Sequence, residues 1–201
     1  MFHSPAMKGR RDKILDVAVN LAEEGGFDNV RQRDVAAHAG VALGTLYKSF
    51  RSKEDILSAA LEREAVVLER RMATNPPKGE TPLERVGAFF QIVTRGLCKK
   101  PNYARAVIRA MASGVPEIAA NVLSYHGRMN GCIIAALRGT APEDVSENLP
   151  TKRESQFALL LQQMWFATLV GWSAGLFDQA SALEQVRTAA RLLSRGLDGE
   201  P

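Results

Sequence analysis

Cysteine is scarce in this sequence. Cys98 and Cys132 are the two it has, without metal-ligand spacing and inside apolar helical patterns, which excludes a disulfide framework or a zinc site and points to a reducing cytoplasm. The three histidines, His3, His38 and His126, are scattered, and Cys132 lies six residues past His126. No catalytic or metal-binding constellation forms from them, and no cofactor is implied. No apolar run reaches the length of a membrane span: the most apolar stretch, Met164 to Phe177, is too short and follows the polar pair Gln162 and Gln163. The first nine residues lack the apolar core of a signal peptide and read as a loose arm. The alternation of a half-buried strand is absent throughout.

What the sequence has is helix. Its 201 residues, 46% hydrophobic and 24% charged, suffice to bury a core. Apolar residues recur at three and four residue spacing. Ile14, Val17, Ala18, Leu21 and Ala22 form one such stripe, ended by Gly25 and Gly26. Four later starts carry a hydroxyl and, three residues on, a carboxylate, the reciprocal capping arrangement: Ser52 with Asp55, Thr81 with Glu84, Thr151 with Glu154, and Ser181 with Glu184. These signals predict nine helices over 8–24, 32–39, 43–50, 53–73, 82–99, 103–113, 116–138, 152–177 and 182–197, with a loop from Gly139 to Pro150. The fold class is therefore all-α.

The segment from Val30 to Lys53 carries the functional signal. It encodes two short helices joined at Gly40, which can take the positive φ of a tight turn. Val35, Ala36 and Ala39 supply the buried side of the first helix, and Val41, Leu46 and Phe50 that of the second; small Ala36 and Ala37 allow close approach. Lys8, Arg10, Arg11, Lys13, Arg31, Arg33, Lys48, Arg51 and Lys53 crowd the first quarter of the chain, only partly offset by Asp12, Asp16, Glu23, Glu24, Asp28 and Asp34, within a net charge of +4 that suits a polyanionic partner. In a helix-turn-helix the second helix enters the DNA major groove. That geometry puts Ala42, Leu43, Gly44 and Thr45 at base edges, with Gly44 permitting close backbone approach and Thr45 offering a hydroxyl and a methyl. Tyr47, Lys48 and Lys53 are placed for phosphates, and Arg33 can reach the groove or its edge.

The wording G-V-A-L-G-T-L-Y-K-S-F-R-S-K-E-D-I-L, preceded by R-D-V-A-A-H-A, resembles the DNA-binding signature of the TetR family of transcriptional regulators, from about Ile14 to Leu57. The resemblance implies a dimer of all-α subunits of about nine helices, with Arg33, Gly44, Thr45, Tyr47, Lys48 and Lys53 in DNA-contacting positions. The chain departs from the family pattern where Ala42 and the pair Arg31–Gln32 replace hydroxyl residues, which leaves Gln32 and Arg31 to take over the backbone contact. The expected division is a helix-turn-helix domain over 1–53 and an effector-binding and dimerisation domain over 54–201. The expected role is a cytoplasmic, ligand-responsive repressor and not an enzyme. An activator, or a helical binding or enzymatic protein with a degenerate reader, stays open.

In the larger part, R-A-V-I-R-A-M-A from Arg105 and Q-M-W-F-A-T-L-V-G-W from Gln163 are similar to the steroid and lipid-catabolism regulators of that family. The helix over 152–177 is apolar on more than one face, so it must be covered on all sides. Together with a stripe of Leu183, Val186, Ala190, Leu193 and Leu197 it suggests a four-helix homodimer interface from 152–177 and 182–197, with Ala167, Gly171, Ala174 and Gly175 allowing close crossing. Such a dimer sets its two readers about 34–36 Å apart, one DNA turn. Phe89, Phe90, Val93, Met111, Val122, Met129, Trp165 and Phe166 are candidates to line a cavity for a small hydrophobic effector of lipid, steroid or acyl-CoA-like kind, and Tyr125 with His126 is a candidate polar anchor. Taken singly, each reads first as plain core packing, since apolar residues at helical spacing are usually core. Nothing in the sequence enters a membrane.

Overall fold

The computed structural model describes residues 5–198, which form ten α-helices and, among the described residues, no strand. The helices are α1 (Pro5–Gly25), α2 (Gln32–Ala39), α3 (Leu43–Ser49), α4 (Lys53–Thr74), α5 (Pro82–Cys98), α6 (Pro101–Met111), α7 (Ala119–Arg138), α8 (Pro142–Glu147), α9 (Lys152–Ser173) and α10 (Gln179–Asp198). His3 and the side chains of Lys8 and Leu197 lie outside the described residues. No single helix among the described residues is long and apolar enough to cross a membrane.

Four sequence expectations are corrected at element ends. The expected arm is helical from Pro5, a residue tolerated in a first turn because its missing N–H would be unpaired there anyway. The expected loop from Gly139 to Pro150 contains α8, started by Pro142 and by Asp144, whose carboxylate accepts from the Ala141 N–H at 3.0 Å. Helix α9 stops at Ser173 rather than 177, because Gly175 turns left-handed at φ 77° and the Leu176 N–H returns to the Gly171 carbonyl at 3.0 Å. Helix α10 is capped by Asp178, not Ser181: the Asp178 carboxylate accepts from the Ser181 N–H at 2.8 Å. The boxes at Thr81–Glu84 and Thr151–Glu154 form as expected, and Ser52 accepts from the Asp55 N–H at 3.1 Å.

The chain divides into two compact units, residues 1–64 with 100–125 and residues 65–99 with 126–201, so α4 and α7 contribute to both. In the first unit Ile14, Ala18 and Ala22 of α1 pack with Val35, Ala36 and Ala39 of α2, Leu46 of α3, Phe50, and Ile56, Leu57 and Ala60 of α4, all buried. Helix α6 adds buried Tyr103, Ala104, Val107 and Ile108. Its start is fixed by α1: the Glu23 carboxylate accepts from the Tyr103 N–H at 3.0 Å and the Glu23 carbonyl from the Asn102 amide at 2.9 Å.

In the second unit α5, α9 and α10 pack together around Phe89, Phe90, Phe157, Leu161, Trp165, Leu169, Val186 and Ala190. Val186 and Ala190, expected at the dimer face, are thus core of their own subunit, since α10 must first cover α5 and α9. Gly171 is likewise occupied from within. A Cβ added there would run into the Phe177 ring. Cys132 is buried, and burial, with the nearby Glu69 carboxylate, pushes its thiol up to about 12, out of the thiolate range.

The second unit also holds an ion pair between α7 and α9. Arg138 at the end of α7 donates to both Glu154 oxygens at 2.7 and 2.8 Å and to the Asn148 carbonyl at 2.7 Å. Glu154 also closes the cap of α9. The Arg138 guanidinium, with the Thr151 bonds, holds this carboxyl down at about 2, against an ordinary 4.5. A depressed carboxyl stabilises the fold above its unfolded value, and that contribution fades as pH falls from 4.5 to about 2. Glu154→Gln is expected to cost about 1.5–3 kcal/mol at pH 7, the range for a charge-assisted hydrogen bond. Thermal melts of both proteins should converge as pH drops through that window; a constant gap would refute the assignment.

Candidate nucleic-acid interface

The reader is built by locking one side of α3 and leaving the other open. Gly40 ends α2 in the left-handed region at φ 67°, and the Val41 N–H closes on the Ala36 carbonyl at 3.0 Å. Leu46 and Phe50 are inserted fully into the first unit, Val41 is half-buried, and the Arg11 guanidinium lies 4.3 Å from the centre of the Phe50 ring. Ala37, expected in the contact between α2 and α3, is exposed; the close approach is made by buried Ala36 and Ala39.

On the open side, Ala42, Gly44, Tyr47 and Lys48 are exposed, and Leu43 and Thr45 are half-buried. Nothing lies within 4 Å of where a Cβ on Gly44 would stand. Neither α2, preceded by Arg31, nor α3, preceded by Ala42, has a side-chain cap, so first-turn N–H groups of both remain for solvent or an anion. Arg33 is exposed on α2. Gln32 is half-buried and its amide donates to the Phe50 carbonyl at 3.3 Å, tying the start of α2 to the end of α3.

Lys53 has a different setting from Lys48. Its ammonium donates to the Phe27 carbonyl at 3.4 Å and to Asp28 at 3.3 Å, and lies 3.9 Å from the centre of the Phe27 ring. Arg109 of α6 meets the same ring at 4.2 Å and the other Asp28 oxygen at 3.0 Å. Hydrogen bonds from Arg109 and then Lys53 hold the Asp28 carboxyl below its ordinary value. Sequence reading missed Asp28 and Arg109, because residues 25 and 81 positions from their partners carry no local signal.

Of the effector candidates, Phe89, Phe90, Val93, Met129 and Trp165 are buried in the second unit and Phe166 is half-buried there; Met111 and Val122 are half-buried in the first. Tyr125 falls in the first unit and His126 in the second. The Phe90 ring sits 5.1 Å from Phe89 and 5.8 Å from Trp165. The Trp165 indole N–H donates to the Thr94 hydroxyl at 2.9 Å, a buried bond. A residue not foreseen stands on the same stripe of α9: Gln162, 1% exposed, with both amide atoms sealed and unpartnered. Its signal was available, since Gln162 lies four residues after Ala158 and three before Trp165, both on the buried face.

Residues 14–60 match the family described as bacterial regulatory proteins, tetR family, and residues 79–193 match the tetracyclin repressor-like C-terminal domain. The chain is 35% identical over 184 residues to the HTH-type transcriptional repressor KstR of Rhodococcus jostii, covering 90% of this chain and 82% of that one. The fold is similar to that of a TetR transcriptional regulator from Rhodococcus sp. RHA1, with TM-score 0.81 at 26% identity, covering 96% and 98% of the two chains. It is also similar to Thermus thermophilus FadR in complex with lauroyl-CoA, with TM-score 0.69 at 18% identity over 95% and 96%.

Proposed function

The chain belongs to the TetR family of bacterial transcriptional regulators, and from that premise we propose that it is a repressor that grips a two-fold operator as a homodimer and is released by a small hydrophobic effector. The working division is a reader over 1–53 and an effector-binding and dimerisation part over 54–201. One observation carries the reading: α3 exposes Gly44, Tyr47 and Lys48 while Leu46 and Phe50 fix its other side, so the helix is rigid where it is bare. Gly44 and Thr45 read base edges; Tyr47, Lys48 and Arg33 hold phosphates, with Gln32, Ala42 and Leu43 setting the approach of the backbone. An effector of lipid, steroid or acyl-CoA-like kind is supported by the likeness to repressors named KstR and by a related fold holding lauroyl-CoA. Release requires that the effector favour one shape of the subunit over another. Helix α4, which contributes to both units, is the element to carry that difference.

Salt dependence tests the reading. Each phosphate contact contributes a slope of about 0.9 in log K against log salt, so Lys48→Ala, removed twice per dimer, is expected to flatten the slope by about 2. Lys53→Ala is expected to flatten it by less than half as much, because Asp28 already neutralises that ammonium in the free protein. Fluorescence anisotropy with a selected operator between 50 and 200 mM salt gives both slopes. No change with Lys48→Ala would remove α3 from the interface.

A further inference from the structure

Resting on the effector reading above, we infer that Gln162 is the polar anchor of the effector site and that it selects a neutral carbonyl, a thioester or ketone, adjoining the hydrocarbon part of the ligand. The buried polar residues of the described chain are Ser58, Thr94, Gln162 and Thr168. Three are satisfied: Ser58 donates to the Asp55 carbonyl at 3.1 Å, Thr94 accepts from Trp165, and Thr168 donates to the Trp165 carbonyl at 2.7 Å. Of these four, Gln162 has neither its donor nor its acceptor paired; the Tyr103 hydroxyl, also buried, faces Glu64 within the first unit. Native cores pair such groups almost without exception, and an orphan marks a place where a partner arrives.

The chemistry of that partner follows from the amide. Its two N–H donors match a ligand carbonyl, and it brings no charge with which to compensate a carboxylate in an apolar surround. Phe90 and Thr94 of α5 each meet Trp165, three residues along α9 from Gln162, and the Thr94 hydroxyl is committed to Trp165. Gln162 is left as the group that can turn to a ligand. The orphan amide also supplies a switch. It disfavours the ligand-free packing, and a carbonyl that satisfies it favours whichever subunit shape admits the ligand, which is the differential affinity release requires.

The test uses the full-length protein and two ligand pairs that differ only at the carbonyl: lauroyl-CoA against its dodecyl thioether analogue, and 5α-cholestan-3-one against 5α-cholestane. Binding is read by quenching of tryptophan fluorescence and by thermal shift. The wild-type protein is expected to bind at least one carbonyl compound tenfold or more tightly than its methylene partner. Gln162→Leu is expected to erase that preference and to raise the melting temperature of the ligand-free protein, since an unpaired buried amide is replaced by an apolar group of similar size. If this variant does not fold, Gln162→Met takes its place, and the wild-type comparison needs no variant. Equal binding within each pair, or a preference that survives in the variant, overturns the anchor while the effector reading stands. A ligand-free variant less stable than wild type also overturns the anchor. Failure of all four compounds to bind overturns the effector reading, and the anchor with it.

Discussion

A protein carrying Leu160→Asp and Leu192→Asp is expected to sediment as a folded monomer of 21.9 kDa and to bind operator at least 100-fold more weakly than the wild type. The expectation starts from the outward side of α9. Phe157, Leu161, Trp165, Leu169 and Trp172 turn inward, yet Leu160, Met164 and Val170 of the same helix are each more than a third exposed. Leu192 of α10 lies with Met164 along a groove whose other walls are Ser181, Glu184, Gln185, Thr188 and Ala189. Large apolar side chains left exposed on a well-packed helix mark an interaction face. In a family that dimerises, the partner that fits is a second copy.

The size of the effect comes from symmetry. Each substitution enters a two-fold interface twice, so four carboxylates would have to be desolvated without partners, at several kcal/mol apiece. The operator consequence is separate. Two linked readers raise the occupancy of the second half-site through effective concentration, an advantage of about 10²–10⁴ that a monomer forfeits with every contact in its own reader intact. Sedimentation velocity, a far-ultraviolet melt and operator anisotropy decide the matter together. A variant that stays dimeric would move the interface off α9 and α10.

The parts of this molecule legible in sequence are those whose cause is local. Gly40, the Thr81–Glu84 and Thr151–Glu154 boxes, and the apolar spacing of α1 to α5 each act within a turn of themselves, and those elements appear within a few residues of their expected limits. Periodicity shows that a face is buried but not what buries it. Val186 and Ala190 form a true stripe, and its partner proves to be the same chain. Gly171 looks like room for a helix crossing until Phe177, six residues on and past a left-handed glycine, folds back onto it. The Asp28 cluster and the Gln162 amide are further removed still. The first is assembled from α4, α6 and the turn after α1, and the second is notable only because its neighbours found partners and it did not.

Gly44→Leu is expected to leave the free protein as stable as before, or more so, and to reduce operator affinity at least 100-fold. Both halves follow from the same bare position. Gly44 lies inside α3 with ordinary helical backbone and open space around its missing Cβ, so a side chain there meets no steric or conformational penalty. Replacing glycine by leucine in an exposed helix contributes about 0.5–1 kcal/mol, worth a rise of about 1–4 °C in a chain of this size. Against DNA the same side chain stands between the α3 backbone and the base edges that Ala42 and Thr45 flank, where close approach is the condition of reading. Gly44→Ala, adding one methyl, should fall between the two. Gly96→Leu on α5 is the control, because it too is exposed with nothing within 4 Å, and it should raise stability without touching affinity. A Gly44→Leu protein that melts higher and still binds operator as the wild type does would show that α3 meets DNA by another face, whereas loss of binding with gain of stability places the groove against this one.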